Sequence, residues 1–367
     1  MSIKSASIES VKDLLTKPRP DTIPNLNELK PTVLDLDQSK ILSSLIDHFD
    51  SIDFKLPTTL KDYVSKDLKS FNVSLTDWEK CSNLNRESLL RCLRADKWDL
   101  EKTKLRIEET LVWRRDCGCD GVDISEDSDS IRTEAETGKM FVLGFDKLAR
   151  PIVHMRPRFQ NTNVSPKRLQ FSFWLIDRAI DLMLPGVESM LLIIDLAGPQ
   201  ESPSVKQQRD FVRSLGAHYC ERLGQALVLN MPSVFVWILK LVKPFIDPVT
   251  FAKAIFDKAD PLKYAPQEQL DSTLGGTNGY DFDIETYWPA LMEECNRMRR
   301  ERLERWKKLN KKIGSSEWNF ETEKDHNDGL DEKKTENNIS NKINGNNEEE
   351  EVESQPTNTR SENDNDD

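Results

Sequence analysis

Apolar positions in the first third of the chain recur at helical spacing. Ile41, Leu45 and Phe49 fall every four residues, which predicts a short amphipathic helix. Residues 86–96 (RESLLRCLRAD) and 100–115 (LEKTKLRIEETLVWRR) predict two more, with a turn at Lys97 to Asp99 between them. From about residue 138 the pattern shortens to β-rich runs: MFVLGFD, PIVHMR, SMLLIIDL, QALVLN and AKAIFD. The central runs are almost continuously apolar, as strands covered on both faces are. Between the second and third runs, Leu169, Phe173, Ile176, Ile180 and Met183 follow a spacing of 4, 3, 4 and 3, which marks a helix. Strands alternating with helices predict an α/β domain with a mixed, largely parallel sheet, preceded by a small all-α domain.

One stretch exceeds what such a fold requires. Residues 232–248, PSVFVWILKLVKPFIDP, are too short to span a bilayer, which takes about 20 apolar residues, and are interrupted by Lys240, Lys243 and Pro244. As a helix, 234–242 would be apolar almost all round. It fits either a central core helix or a lid over a lipid cavity. Lys240 and Lys243 share one face, from which their stems can follow apolar surface while their ammonium groups reach water or phosphate.

Charge divides the 367-residue chain unevenly. Residues 315–367 hold 17 acids and 5 bases, which accounts for the whole net charge of −12 and leaves a neutral body with 47 of each. Polar and Asn-rich, this segment cannot bury enough apolar surface to order itself, so a disordered tail is expected. Before it, EECNRMRRERLERWKKLNKKIG predicts a basic helix with an apolar seam of Cys295, Met298, Trp306, Leu309 and Ile313, against which the acidic tail could fold. The N-terminus lacks an apolar signal core, so a cytoplasmic protein with free thiols is expected. Cys117 and Cys119 form a lone pair without further ligands, and no metal site is expected.

Common catalytic patterns fail on individual residues. Gly138-Lys139 is followed by Met140 and has Thr133 where a phosphate loop needs glycine. A phosphatase loop starting at Cys220 would need arginine at position 226, which is alanine, and no G-x-S-x-G elbow occurs. His154, His218 and Asp195 could meet near strand ends, although a core histidine bonded to backbone is the commoner arrangement. No enzyme and no nucleic-acid partner is expected.

LLRCLRADKWDLEKT followed by LVWRR resembles the N-terminal module of the CRAL-TRIO lipid-transfer family, and HYCERLGQALVLNMP, KPFIDPVTFAKAIF and LDSTLGG resemble its lipid-binding domain. ETGKMFVLGFDKLARPIV, RPRFQNT and YWPAL resemble the yeast pleiotropic-drug-resistance branch of that family. The resemblance implies an α/β cup that encloses one lipid and exchanges it between membranes. It implies a gate helix touching the bilayer through Val234, Trp237, Ile238, Lys240, Leu241 and Lys243, and a phosphatidylinositol headgroup site at Glu221, Lys253 and Thr250. The alternative is a lipid-sensing module acting on phosphoinositide metabolism, with a lipid kinase as partner. Asp96 stands where many relatives carry a third basic residue, which weakens the module's expected part in the site. Met190 and Leu192 form an apolar cavity wall where phosphatidylcholine-binding members carry hydroxyls, so the second ligand is expected to be a sterol. Peripheral attachment to lipid droplets, endoplasmic reticulum or the cell periphery is implied.

The expected organisation is an extension with a short helix (1–75), a helical module (76–120), the CRAL-TRIO lipid-binding domain (130–290), a basic C-terminal helix (291–314) and the acidic tail (315–367).

Overall fold

A computed structural model of the chain describes residues 7–17, 29–67, 69–118, 128–199, 205–246, 248–256 and 259–320. The helical half contains α1 (Ile8–Thr16), α2 (Leu36–Asp50), α3 (Leu60–Ser65), α4 (Asp77–Asn83), α5 (Arg86–Ala95), α6 (Leu100–Cys117) and α7 (Ser128–Ala135). There follow β1 (Met140–Phe145), β2 (Pro151–Met155), α8 (Pro166–Asp181), β3 (Met190–Asp195), α9 (Val205–His218), β4 (Leu223–Leu229), α10 (Ser233–Val242), α11 (Pro248–Ala252), β5 (Ala254–Phe256), α12 (Pro261–Tyr264) and α13 (Ile284–Lys308). Side chains start several helices: Asp35 with Gln38 and Thr76 with Glu79 form capping boxes, and Asn85 and Asp99 cap α5 and α6. Between α5 and α6 the chain reverses through Lys97 and Trp98, both left-handed, at the turn the sequence predicts.

The five strands run in the order β1-β2-β3-β4-β5, with β1 antiparallel to β2 and the remaining pairs parallel. This is the expected mixed, largely parallel sheet. Ile152, Leu191, Ile193 and Leu227 pack on one face with Ala265 and Leu270. On the other face Met190 and Leu192 join the main core, to which α8 contributes Phe173 and Ile176 and α9 contributes Phe211 and Leu215. The Gly275-Gly276 pair closes the segment covering the first face. A Cβ on Gly276 would lie 1.8 Å from the Leu270 carbonyl oxygen, so only glycine permits that approach.

Three boundaries differ from the expected organisation. Among the described residues of the first 75 there are three helices, and Leu42, Leu45 and Phe49 of α2 share one core with Leu89, Leu93, Ile107 and Leu111, so the helical module begins before residue 76. Farther upstream, α1 places Val11 and Leu15 in the main core, and Lys12 pairs with Glu293 of α13 at 2.8 Å. The border expected at 290–291 falls inside α13, which continues because Tyr287, Leu291 and Cys295 bury one uninterrupted stripe. The start of the tail is ordered: Ser316 Oγ and the Glu317 backbone N–H each donate to Glu87 at 2.7 Å. Its remaining residues, 321–367, lie outside the described ones.

The basic helix also meets much of its own charge. Arg297 and Arg305 pair with Glu301, and Lys307 pairs with Glu304. Arg299 is buried against Asp181.

Candidate functional site

Glu221 and Lys253 stand at the same end of neighbouring parallel strands, Glu221 two residues before β4 and Lys253 immediately before β5. The Ala226 N–H donates to the Lys253 carbonyl at 2.9 Å, beginning the β4–β5 ladder. Lys253 Nζ donates to the carbonyl of Leu223 at 2.9 Å, which brings the ammonium to the strand entrance that Glu221 heads. Among the described residues no carboxylate lies within ion-pair distance of Lys253, so a simple Glu221–Lys253 tie is not what joins the two elements. Half-buried Thr250 lies one turn earlier, and its carbonyl accepts from the Lys253 N–H at 3.2 Å.

Glu221 has a left-handed backbone, φ +57°, a conformation that costs a non-glycine residue about 1–2 kcal/mol. Its carboxylate, 36% exposed, accepts from Arg94 Nε at 2.6 Å. Arg94 Nη2 reaches Glu188 at 2.7 Å, and Arg91, one turn earlier on α5, meets the same carboxylate at 3.1 Å. The helical module therefore reaches the site through Arg94, which the sequence reading passed over. The available signal was Arg91 and Arg94, two arginines three apart and so on one face of the helix, set among Leu89, Leu90, Cys92 and Leu93. Asp96 does not oppose a ligand there: it is fully buried, gripped by Arg106 at 2.7 and 2.9 Å and by Lys102 at 3.1 Å.

Beyond the C-terminal end of β4, α10 supplies the apolar stretch. None of its described side chains is fully buried, and Phe235 and Leu239 are half-buried. Trp237 is 60% exposed, and Val236, Leu241, Phe245 and Val249 continue the exposed apolar surface. Lys240 and Lys243 are exposed beside it, with Lys243 Nζ 4.6 Å from the centre of the Phe251 ring. The side chains of Val234 and Ile238 lie outside the described ones. In the sheet, Leu192 sits between Val153 and Ala226; Met190 is buried and Leu192 half-buried on the face turned to the main core. Neither side chain offers a hydrogen-bond donor.

His154, His218 and Asp195 have separate partners. His154 Nε2 meets the carbonyl of Leu143 at 3.0 Å and stacks on Phe141. His218 stacks on Trp113 with ring centres 4.2 Å apart, its Nδ1 3.0 Å from Thr110 Oγ1. Asp195 binds Arg158 and Asn230. Five cysteines are described, all free; Cys119, and with it the CxC pair, lies outside the described residues. No cluster of three or more potential metal ligands occurs among the described residues.

Burial pushes His154 down to about 4 and His218 to about 3, the latter helped by Arg114 and Arg106. Both imidazoles stay neutral in the fold while the unfolded chain protonates near 6.5. Their contribution to stability is full above about pH 6.5 and is lost as pH falls toward their folded values, at up to about 1.4 kcal/mol per pH unit for each proton. Urea midpoints should therefore drop between pH 6.5 and 5, and His154→Phe, which keeps the stack without the titration, should flatten that slope. An unchanged slope would contradict the assignment.

The family model of the CRAL/TRIO domain matches residues 135–276, and that of the CRAL/TRIO N-terminal domain matches 42–109. The second match begins within α2, where the helical core begins. The chain is 44% identical over 240 residues to the CRAL-TRIO domain-containing protein C23B6.04c of Schizosaccharomyces pombe, covering 65% of this chain and 23% of that longer protein. It is 33% identical over 300 residues to the phosphatidylinositol transfer protein PDR17 of Saccharomyces cerevisiae, covering 79% and 85% of the two chains. With the phosphatidylinositol transfer protein CSR1 of Eremothecium gossypii it shares 31% identity over 209 residues, 53% of this chain and 48% of the relative.

Proposed function

This chain belongs to the CRAL/TRIO family, and from that premise we propose that it binds phosphatidylinositol and carries it between membranes. The observation that carries this reading is the 33% identity to PDR17 across 85% of that protein's length. The site geometry agrees with it. Lys253, without a carboxylate partner among the described residues, would take the phosphodiester, Thr250 would donate to a phosphate oxygen, and Glu221 would accept from inositol hydroxyls.

The site and α10 lie beyond opposite ends of β4. That strand is roughly 20 Å long at about 3.3 Å per residue, so acyl chains entering beside Glu221 would run along the sheet face toward α10. Two acyl chains carry about thirty CH₂ groups, and exposing them to water would cost on the order of 25 kcal/mol. The carrier must therefore cover them throughout transit. In this mechanism α10 opens against the bilayer through Trp237 and Leu241, with Lys240 and Lys243 at the lipid phosphates, and closes before the protein leaves. No helix among the described residues is long and apolar enough to cross a membrane.

The second ligand in this reading is a sterol. Against Met190 and Leu192 a phosphocholine group would lose its hydrogen bonds, whereas a sterol body would not. The sites of action would be bilayer or droplet surfaces.

Mass spectrometry of lipids co-purifying with the full chain tests the proposal. Phosphatidylinositol as a major bound lipid, exchanged into acceptor vesicles, is the expected result. An empty protein, or one whose lipids match the bulk membrane, would overturn it.

A further inference from the structure

Helix α9 carries charge that the headgroup site does not use. Lys206, Arg209 and Arg213 follow a spacing of 3 and 4 and so share one face of the helix. Phe211 and Leu215, on the opposite side, pack against the main core, which turns the basic row away from it. Lys206 and Arg213 are exposed and Arg209 is half-buried. Arg209 lies 3.4 Å from its neighbour Asp210, whereas among the described residues no carboxylate lies within ion-pair distance of Lys206 or Arg213.

The row borders the exposed apolar surface of α10. The two helices pack side by side, and the Arg209 guanidinium sits 5.8 Å from the centre of the Phe245 ring, which follows α10 and is 45% exposed. Lys240 and Lys243 stand exposed at the same surface. In α9, α10 and the turn after α10, lysines and arginines number five and Asp210 is the one acid. The body of the chain has 47 acids and 47 bases, so this excess is local.

A bilayer containing acidic lipids offers phosphate and carboxylate groups directly above hydrocarbon. Trp237, Leu241 and Phe245 can enter the boundary while the basic groups beside them stay at headgroup level. A nucleic-acid backbone would match the charge and leave the adjoining apolar side chains uncovered, whereas a bilayer meets both. Apolar contact alone does not distinguish neutral from acidic surfaces. The charge does, because each basic group held there strengthens attachment to an acidic surface about fivefold.

We propose that the basic row of α9 is a docking surface for bilayers carrying acidic glycerophospholipids, so that the α9–α10 face selects anionic membranes over phosphatidylcholine surfaces. This rests on the reading in which α10 meets a membrane, and is independent of which lipid the cavity carries.

The test is flotation of the full-length protein with phosphatidylcholine vesicles, with and without phosphatidylserine, at low and at high salt. The parent should bind the anionic vesicles more tightly, and salt should remove the difference. Combining Lys206→Gln, Arg209→Gln and Arg213→Gln should weaken binding to anionic vesicles by about tenfold or more and leave binding to neutral ones unchanged. Lys55→Gln, Lys61→Gln and Lys69→Gln together remove the same charge from exposed lysines of the helical module, and that protein should bind as the parent does. So should the charge-retaining combination Lys206→Arg, Arg209→Lys and Arg213→Lys, which separates lost charge from a damaged helix. No preference of the parent for anionic vesicles, equal losses in the two glutamine variants, or loss in the charge-retaining variant would overturn the proposal. The lipids that co-purify with the protein decide the carrier reading separately, so the two can fail independently.

Discussion

Lys253→Ala is expected to lower phosphatidylinositol transfer between vesicles by tenfold or more while uptake of a neutral sterol persists. A charge-assisted hydrogen bond is worth about 1.5–3 kcal/mol, equivalent to roughly 10- to 150-fold in affinity. The Lys253 ammonium is bonded to the Leu223 carbonyl and has no carboxylate partner among the described residues, so its charge is available to a phosphate. The same substitution removes one hydrogen bond at the strand entrance, and neutral-ligand uptake distinguishes a damaged sheet from a lost headgroup contact. Transfer at the parent rate would remove Lys253 from the site. Loss of both ligands would show that the lysine supports the fold.

Asp181→Ala is expected to destabilise the protein by about 3–5 kcal/mol, read as a fall in the urea midpoint at unchanged slope. Asp181 Oδ2 lies 2.9 Å from Arg178 Nη2 and 2.7 Å from Arg299 Nε, and all three side chains are almost wholly enclosed. Removing the carboxylate leaves two buried guanidiniums facing each other, and Arg299 already acts to lower the Arg178 pKa, behind burial as the larger cause. Arg178→Met should be much milder. Among the described residues none of the Arg178 guanidinium nitrogens has a hydrogen-bond partner, and the group meets the Asp181 carboxylate and the Trp174 ring 4.9 Å away. Removing it leaves Asp181 paired with Arg299. Equal effects of the two substitutions would contradict this asymmetry.

The Asp181 cluster shows where periodicity stops being informative. In PKRLQFSFWLIDRAID the apolar spacing identifies a helix, and α8 forms there, but Asp177, Arg178 and Asp181 read as the polar face of an amphipathic segment. They are buried, because Arg114 of α6 and Arg299 of α13 come to meet them. Those partners are 63 and 118 residues away in sequence, and no local pattern announces them. Arg94 went unnoticed for the same reason: its partner Glu221 is 127 residues distant.

The sequence by itself determined the elements and their class. All five strands, the turn at Lys97, and the helices around residues 45, 90, 107 and 173 were legible, since each is set by spacing and capping within about a dozen residues. Motif resemblance placed Glu221, Lys253 and Thr250 as candidates, and the amino-acid pattern of α10 marked it as an apolar surplus. Tertiary structure alone decided that α1 and α2 belong to the cores, that α13 crosses the expected domain border, and that Asp96 is a buried structural acid. It also decided that Val236, Trp237 and Leu241 of α10 stand exposed. Each of these depends on which distant surfaces compete to bury a side chain or satisfy a charge, and that competition is resolved only when the whole chain packs.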